Sequence, residues 1–207
     1  MYFWRDAYFQ TLKEVATEAS NTPEWGDYAA YCAEHERGLR QQAFSILDRF
    51  ISSLEGAEFT DRRRFVSWLF HKADGRDGQH ILMPHPLYKR IVEPTLTEWI
   101  AVEPACSEPH RWFGGYEHLR RAIELEPGDE VARRKFIACI LGGVGYSTHE
   151  LPSGYLGVPQ EDLVALDLAT AVLSRLPSDE IHSRLAARIA EERRLIDDYL
   201  QRQKGAV

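Results

Sequence analysis

The part of the sequence best stocked for chemistry is Gly142-Gly143-Val144-Gly145-Tyr146-Ser147-Thr148-His149-Glu150-Leu151-Pro152-Ser153-Gly154-Tyr155-Leu156-Gly157. Two tyrosines, a histidine and a carboxylate stand among glycines, a mixture that can line a pocket or present a partner site. Connections in compact helical domains usually take about 2–8 residues, so a connection over 141–158 is long enough to suggest function. With Trp112 and Tyr116 upstream, the candidate binding set is Tyr146, His149, Glu150, Tyr155, Trp112 and Tyr116. The alternative is a packed surface loop whose tyrosines cover the apolar face of a helical hairpin.

Motifs that would fix a reaction are incomplete. Gly145-Tyr146-Ser147 begins like a nucleophile elbow, but His149 stands where the closing glycine belongs and no strand precedes it. The glycines are not followed by Lys-Ser or Lys-Thr, which excludes a phosphate-cradling P-loop. His149-Glu150 lacks the second histidine four residues on that would put two imidazoles on one helical face. Imidazole, thiolate and carboxylate are suitable zinc or iron ligands, so His71, Asp74, His80 and His85, or Cys106 with His110, form the candidate metal sets. No ligand pair repeats with finger-like spacing. The expectation is no catalytic set, no metal and no cofactor.

The whole-chain balance narrows the partners. With 32 acidic residues against 25 basic ones, the net charge of −7 repels phosphate backbones and anionic lipid, which disfavours nucleic acid and membrane surfaces. The dense basic run Arg62-Arg63-Arg64 reads as a solvated helix face. Three cysteines, Cys32, Cys106 and Cys139, lie far apart in apolar patterns, unlike a disulfide framework. The start of the chain lacks signal-peptide order, and no apolar run reaches the roughly 18–20 residues of a membrane span. A cytoplasmic location is expected.

Those residues must be positioned by helices, because apolar side chains return every three or four positions and no long segment alternates with period two. The fold class expected is all-α, with about eight helices packed as antiparallel hairpins in one domain over 1–207 and a weak sub-boundary at 73–85. Trp4, Tyr8, Leu12, Val15 and Ala19 make the first stripe, ending near Ser20. Thr22 and Pro23 supply a cap and first position for a long helix carrying Trp25, Tyr28, Cys32, Leu39, Ala43, Ile46, Phe50 and Leu54, with Gly38 as a bend. Thr60 is expected to cap the next helix, which carries Phe65, Trp68 and Leu69. Segment 73–85 reads as a loop, and the helix opened by Pro86 must kink or split at Pro94. The tryptophans Trp25, Trp68, Trp99 and Trp112 read as core rather than as a ligand cage.

In the second half, Trp112, Tyr116, Leu119 and Ile123 mark one helix, and Ala132, Phe136, Cys139 and Ile140 the next. Pro127-Gly128-Asp129-Glu130-Val131 is echoed fifty residues on by Pro177-Ser178-Asp179-Glu180-Ile181, so two hairpins lie in series. Helix 159–176 is apolar almost all round and reads as central, with Asp167 on a narrow exposed edge beside Gln160 and Ser174. The last helix has an apolar face of Ile181, Leu185, Ile189, Ile196 and Leu200, suited to a lid or a dimer surface.

Ala122-Ile123-Glu124-Leu125-Glu126-Pro127-Gly128-Asp129 resembles the junction of tetratricopeptide-type repeats, with Trp99 at the first-helix tryptophan position. Pro104 and Pro109 interrupt the intervening helix, and no second copy keeps a period of about 34 residues. The resemblance, local to residues 112–141, implies stacked helical hairpins and carries no ligand residues. The function expected is a protein-interaction or scaffold module, with a protein partner or self-association. The competing reading is a small-molecule or metal-dependent enzyme whose site forms where 142–158 meets Trp112, Tyr116 and the histidine-bearing 71–85 segment.

Overall fold

The computed structural model describes residues 6–76 and 78–205, so Trp4 lies outside the described residues. Every regular element among them is helical, in agreement with the period of the apolar residues. The chain divides into two compact units, Met1–Pro104 and Ala105–Val207, and segment 73–85 falls inside the first.

In the first unit, α1 spans Asp6–Ala19 and buries Leu12, Val15 and Ala19. A 3-10 turn, Pro23–Trp25, leads into α2, Gly26–Glu36. Thr22 has an extended backbone but makes no side-chain cap. The long helix expected from residue 22 onward is split rather than bent: Gly38 takes φ 79°, a conformation glycine adopts freely, and α3 begins anew at Arg40–Glu55. The restart resets the register. Leu39 is left exposed, and Leu47 replaces Ile46 in a buried series with Ala43, Phe50, Ile51 and Leu54.

Helix α4, Phe59–Ala73, is preceded by Glu58 in extended conformation, which places Thr60 inside the first turn instead of at the cap. Segment 73–85 carries one short turn of helix, α5, Gln79–Leu82. Two buried tyrosines of α2 fix it, Tyr28 Oη donating to the Leu82 carbonyl at 2.9 Å and Tyr31 Oη to the Ile81 carbonyl at 2.5 Å. Beyond it, α6 (His85–Leu87), a π-turn (Tyr88–Val92) and α7 (Glu93–Val102) run end to end. Pro94 falls in the first turn of α7 and does not interrupt the run. The Glu93 N–H bonds to Tyr88 O, five residues back, so the turn before the proline is widened where its ring would otherwise crowd the backbone.

The core of this unit is aromatic. Phe65 sits 4.9 Å from Phe50, 5.0 Å from Tyr28 and 5.6 Å from Trp25 between ring centroids, in edge-on arrangements. Trp99 is buried and Trp68 half-buried against Trp25, so these tryptophans fill space between helices as expected. The Arg62-Arg63-Arg64 run clamps α4 to its neighbours. Arg62 pairs with Glu98, Arg63 pairs with Glu103 and lies 4.3 Å over the Trp99 ring, and Arg64 lies over Trp25. Burial pushes the Cys32 thiol up to about 12. At pH 8 Cys32 is therefore expected to resist a thiol-specific disulfide reagent while the half-buried Cys106 and Cys139 react. Counting thiols before and after denaturation checks this, and three equally fast thiols in the native protein would contradict it.

The second unit opens with α8, Glu108–Phe113, and α9, Tyr116–Leu125. The single helix expected from Trp112 to Ile123 is broken because Gly114 and Gly115 both take φ 75°. Helix α10 spans Glu130–Thr148, α11 Pro159–Leu173 and α12 Glu180–Gly205. The chain thus holds more and shorter helical segments than the eight or so expected. The core lies between α9, α10, α11 and α12 and includes Leu119, Phe136, Ile140, Val144, Leu166, Leu173, Ile189 and Ile196. The two echoing Pro-x-Asp junctions do the same work: Asp129 Oδ1 accepts from Ala132 N at 2.8 Å and Asp179 Oδ1 from His182 N at 2.7 Å. Arg133 Nη1 donates to the Arg175 carbonyl at 2.9 Å, and Arg134 reaches Asp179 at 2.7 Å, joining α10 to the α11–α12 turn.

Candidate interaction surface

The glycine-rich stretch is not a loop. Helix α10 continues through Gly142, Gly143 and Gly145 to Thr148, so the connection to α11 is only 149–158. Glycine is a poor helix former, and packing overrides it here: Val144, Ser147 and Thr148 on the same turns are buried. Gly145 approaches α12, where an added Cβ would lie 3.5 Å from Glu192. Thr148 Oγ1 donates to the same Glu192 at 2.9 Å.

The connection is tied down along its length. Leu156 N donates to Ser147 O at 3.0 Å, and Ser153 N to Glu150 O at 2.8 Å. Tyr155 stacks on Tyr199 of α12 at 5.3 Å, and its hydroxyl donates to Asp162 of α11 at 2.6 Å. Burial, then the bond to the Asp162 carboxylate, raises the Tyr155 phenol well above its ordinary value. Gly157 is a second fixed point, since a Cβ there would collide with the Ser147 hydroxyl and lie 2.9 Å from Asp162 Oδ2. The sequence presents 149–158 as flexible, and tertiary contacts make it a strap.

The six candidate binding residues fall in two places. Trp112 is buried under the Arg111 and Lys135 cations and donates to Glu108 at 3.1 Å; half-exposed Tyr116 packs on Phe136. Tyr146, His149 and Glu150 cluster at the far end of α10. His149 bonds to the Tyr146 carbonyl at 2.6 Å, lies 5.2 Å from its ring, and reaches Glu150 at 3.1 Å. Ten residues of α10 separate Phe136 from Tyr146, about 15 Å along the axis. Tyr155 serves the strap. His71, Asp74, His80 and His85 belong to the first unit, and among the described residues no group of three or more His, Cys, Asp or Glu side chains could hold a metal ion. The candidate sets His71/Asp74/His80/His85 and Cys106/His110 are not assembled as metal sites.

What stands out instead is apolar surface. Tyr146 is 67% exposed, Leu156 51%, Val158 49%, Val164 67% and Leu168 38%, all within 23 residues of sequence. Val164 and Leu168 are one turn apart and share the outer side of α11, which continues into exposed Ala171. Helix α11 is therefore not central. It buries Leu166, Ala169 and Leu173 and turns its other apolar side to solvent, with Asp167 on the exposed edge paired to Arg193 at 2.5 Å. The apolar residues all round 159–176 signalled either full burial or an uncovered second face, and only the packing decides between them.

Comparison with known proteins finds no matching family model, no matching curated protein and no matching solved structure. The class of the molecule is thus defined by its own fold, an all-helical chain of two compact units. No helix among the described residues is long and apolar enough to cross a membrane.

Proposed function

We propose that the chain is a protein-interaction module that receives an apolar helical segment of a partner protein on the outer side of α11. The observation carrying this reading is the exposure of Val164 and Leu168 at helical spacing, preceded by exposed Leu156 and Val158 on a strap that Tyr155 ties to Asp162 and Tyr199. Branched aliphatic side chains in water gain about 25 cal/mol for each Å² they bury, so a preformed apolar row favours a partner with a matching row at i, i+3 and i+4. Pre-ordering of the strap lowers the entropy lost on docking. The helical-hairpin resemblance at 122–129 is in keeping with such a role.

A photo-crosslinking residue placed at position 164, compared with one at exposed Glu191 on α12, tests the proposal in cells. The expected result is one or a few defined adducts with other polypeptides at position 164, absent at 191 and lost when Leu168 is changed to Asp. Equal yields at both positions overturn the proposal. Adducts containing only this chain, with a light-scattering mass that rises with concentration, overturn it in favour of self-association.

A further inference from the structure

One polar contact in the second unit joins two imidazoles directly. His110 of α8 and His118 of α9 face each other with their Nδ1 atoms 3.0 Å apart, across the Gly114-Gly115 break. The rings are 5.2 Å apart, and Phe113 stacks on His118 at 4.4 Å with an interplanar angle of 23°. The sequence marks His110 by its spacing from Cys106 but gives no sign of His118, because the two rings belong to separate helices that meet only across the glycine break.

Two nitrogens at that distance form a hydrogen bond only if one carries a proton and the other offers a lone pair. In the neutral pair one ring is the Nδ1–H tautomer and the other the Nε2–H tautomer. A first added proton goes to the free Nε2 of the donor ring and leaves the bond in place, strengthened by charge. A second must go to the accepting Nδ1, which removes the lone pair and sets two N–H groups and two positive charges against each other. We propose that the His110–His118 pair is a proton-operated latch, closed while it holds at most one added proton and released, parting α8 from α9, when it takes up the second.

The surroundings favour that sense. His110 is buried, and burial, then His118 and the Arg121 cation of α9, hold its imidazole below the ordinary value. Carboxylates on α8 and around the α9–α10 junction have other partners: Glu126 takes the Ser107 hydroxyl at 2.5 Å, Asp129 pairs with Arg111 at 2.8 Å, and Glu108 accepts from Trp112. From α10, Lys135 adds a further cation over Trp112. With the folded value depressed, the latch contributes fully above the ordinary imidazole value of about 6.5, and its contribution is lost as pH falls through the depressed value. The two steps belong to the pair rather than to either ring.

The test is nitrogen-15 NMR of the imidazoles and the tryptophan indole N–H signals in the full chain between pH 7.5 and 4, with Trp112 assigned through Trp112→Phe. The expected result is two separated steps for the pair, the lower one coinciding with a shift of the Trp112 indole signal. His118→Phe keeps a ring on Phe113 but removes the proton site, and is expected to abolish the Trp112 shift while leaving the signals of α12 in place. Independent titration of both rings near 6.5, or a Trp112 shift that survives in His118→Phe, overturns the proposal. If His118→Phe fails to fold, His118→Gln, which cannot gain charge, gives the same reading.

Discussion

Replacing Asp129 by alanine is expected to destabilise the second unit by about 3–5 kcal/mol, the effect of leaving one partner of a buried ion pair without its mate. Asp129 is buried, and its two oxygens have separate duties. Oδ1 caps α10 by accepting from Ala132 N at 2.8 Å, and Oδ2 accepts from Arg111 Nη1 at 2.8 Å. The Arg111 side chain is only 14% exposed and also lies 4.6 Å over Trp112, so it cannot swing into water without disturbing α8. Loss of the cap accounts for about 1 kcal/mol of the effect and the orphaned guanidinium for most of the rest. Asp129→Asn, which keeps a capping oxygen, is expected to fall between wild type and alanine. The double variant Arg111→Ala/Asp129→Ala is expected to be less damaged than the sum of its parts, because no buried charge remains unpaired. Native-state amide exchange in α10 measures each change. A loss below about 1 kcal/mol for Asp129→Ala would refute the ledger of two duties.

In the first unit the largest effect is expected at Phe65. Its ring is fully buried and meets Trp25, Tyr28, Phe50 and Trp68, contributed by the 3-10 turn, α2, α3 and α4 itself. Phe65→Ala removes a ring from the point where these elements converge, and the rigid neighbours can collapse only partly into the void. The expected cost is about 3–5 kcal/mol. Phe65→Leu, closer in volume, is expected to lose the edge-on ring contacts but leave a smaller cavity, at a cost of roughly 1–2 kcal/mol. Near-ultraviolet circular dichroism should weaken in both, and amide exchange in α2 and α3 should accelerate in the order alanine, leucine, wild type. Equal exchange in alanine and wild type would show that the aromatic cluster does not hold this unit together.

The candidate site was partly visible in the sequence. Tyr146 and the residues 149–158 attracted attention because glycines, aromatics and ionisable groups are adjacent there, and Tyr146 is indeed exposed. Their chemistry was not visible, because it depends on residues far along the chain: Tyr155 is committed by Tyr199 and Asp162, and Thr148 by Glu192. Leu168, which the all-round apolar pattern of 159–176 assigns to the interior, and Val164, which no pattern marks, are both exposed for a related reason. An apolar residue on a helix states only that it prefers not to meet water, not whether a neighbour is there to cover it.

The sequence by itself determined that the chain is helical, where Asp129 and Asp179 start helices, and that Trp25, Trp99 and Trp112 belong to the interior. These follow from interactions within about four residues, the range over which a helix closes its hydrogen bonds and a cap meets its N–H groups. Tertiary structure alone decided that Gly142, Gly143 and Gly145 stay helical while Gly38, Gly114 and Gly115 break the helices, since intrinsic preference is similar for all six and packing differs. It also set Pro94 behind a π-turn, put His118 against His110, and left one side of α11 uncovered. Burial and partner choice are properties of distant segments brought together, and no local pattern encodes which segment arrives.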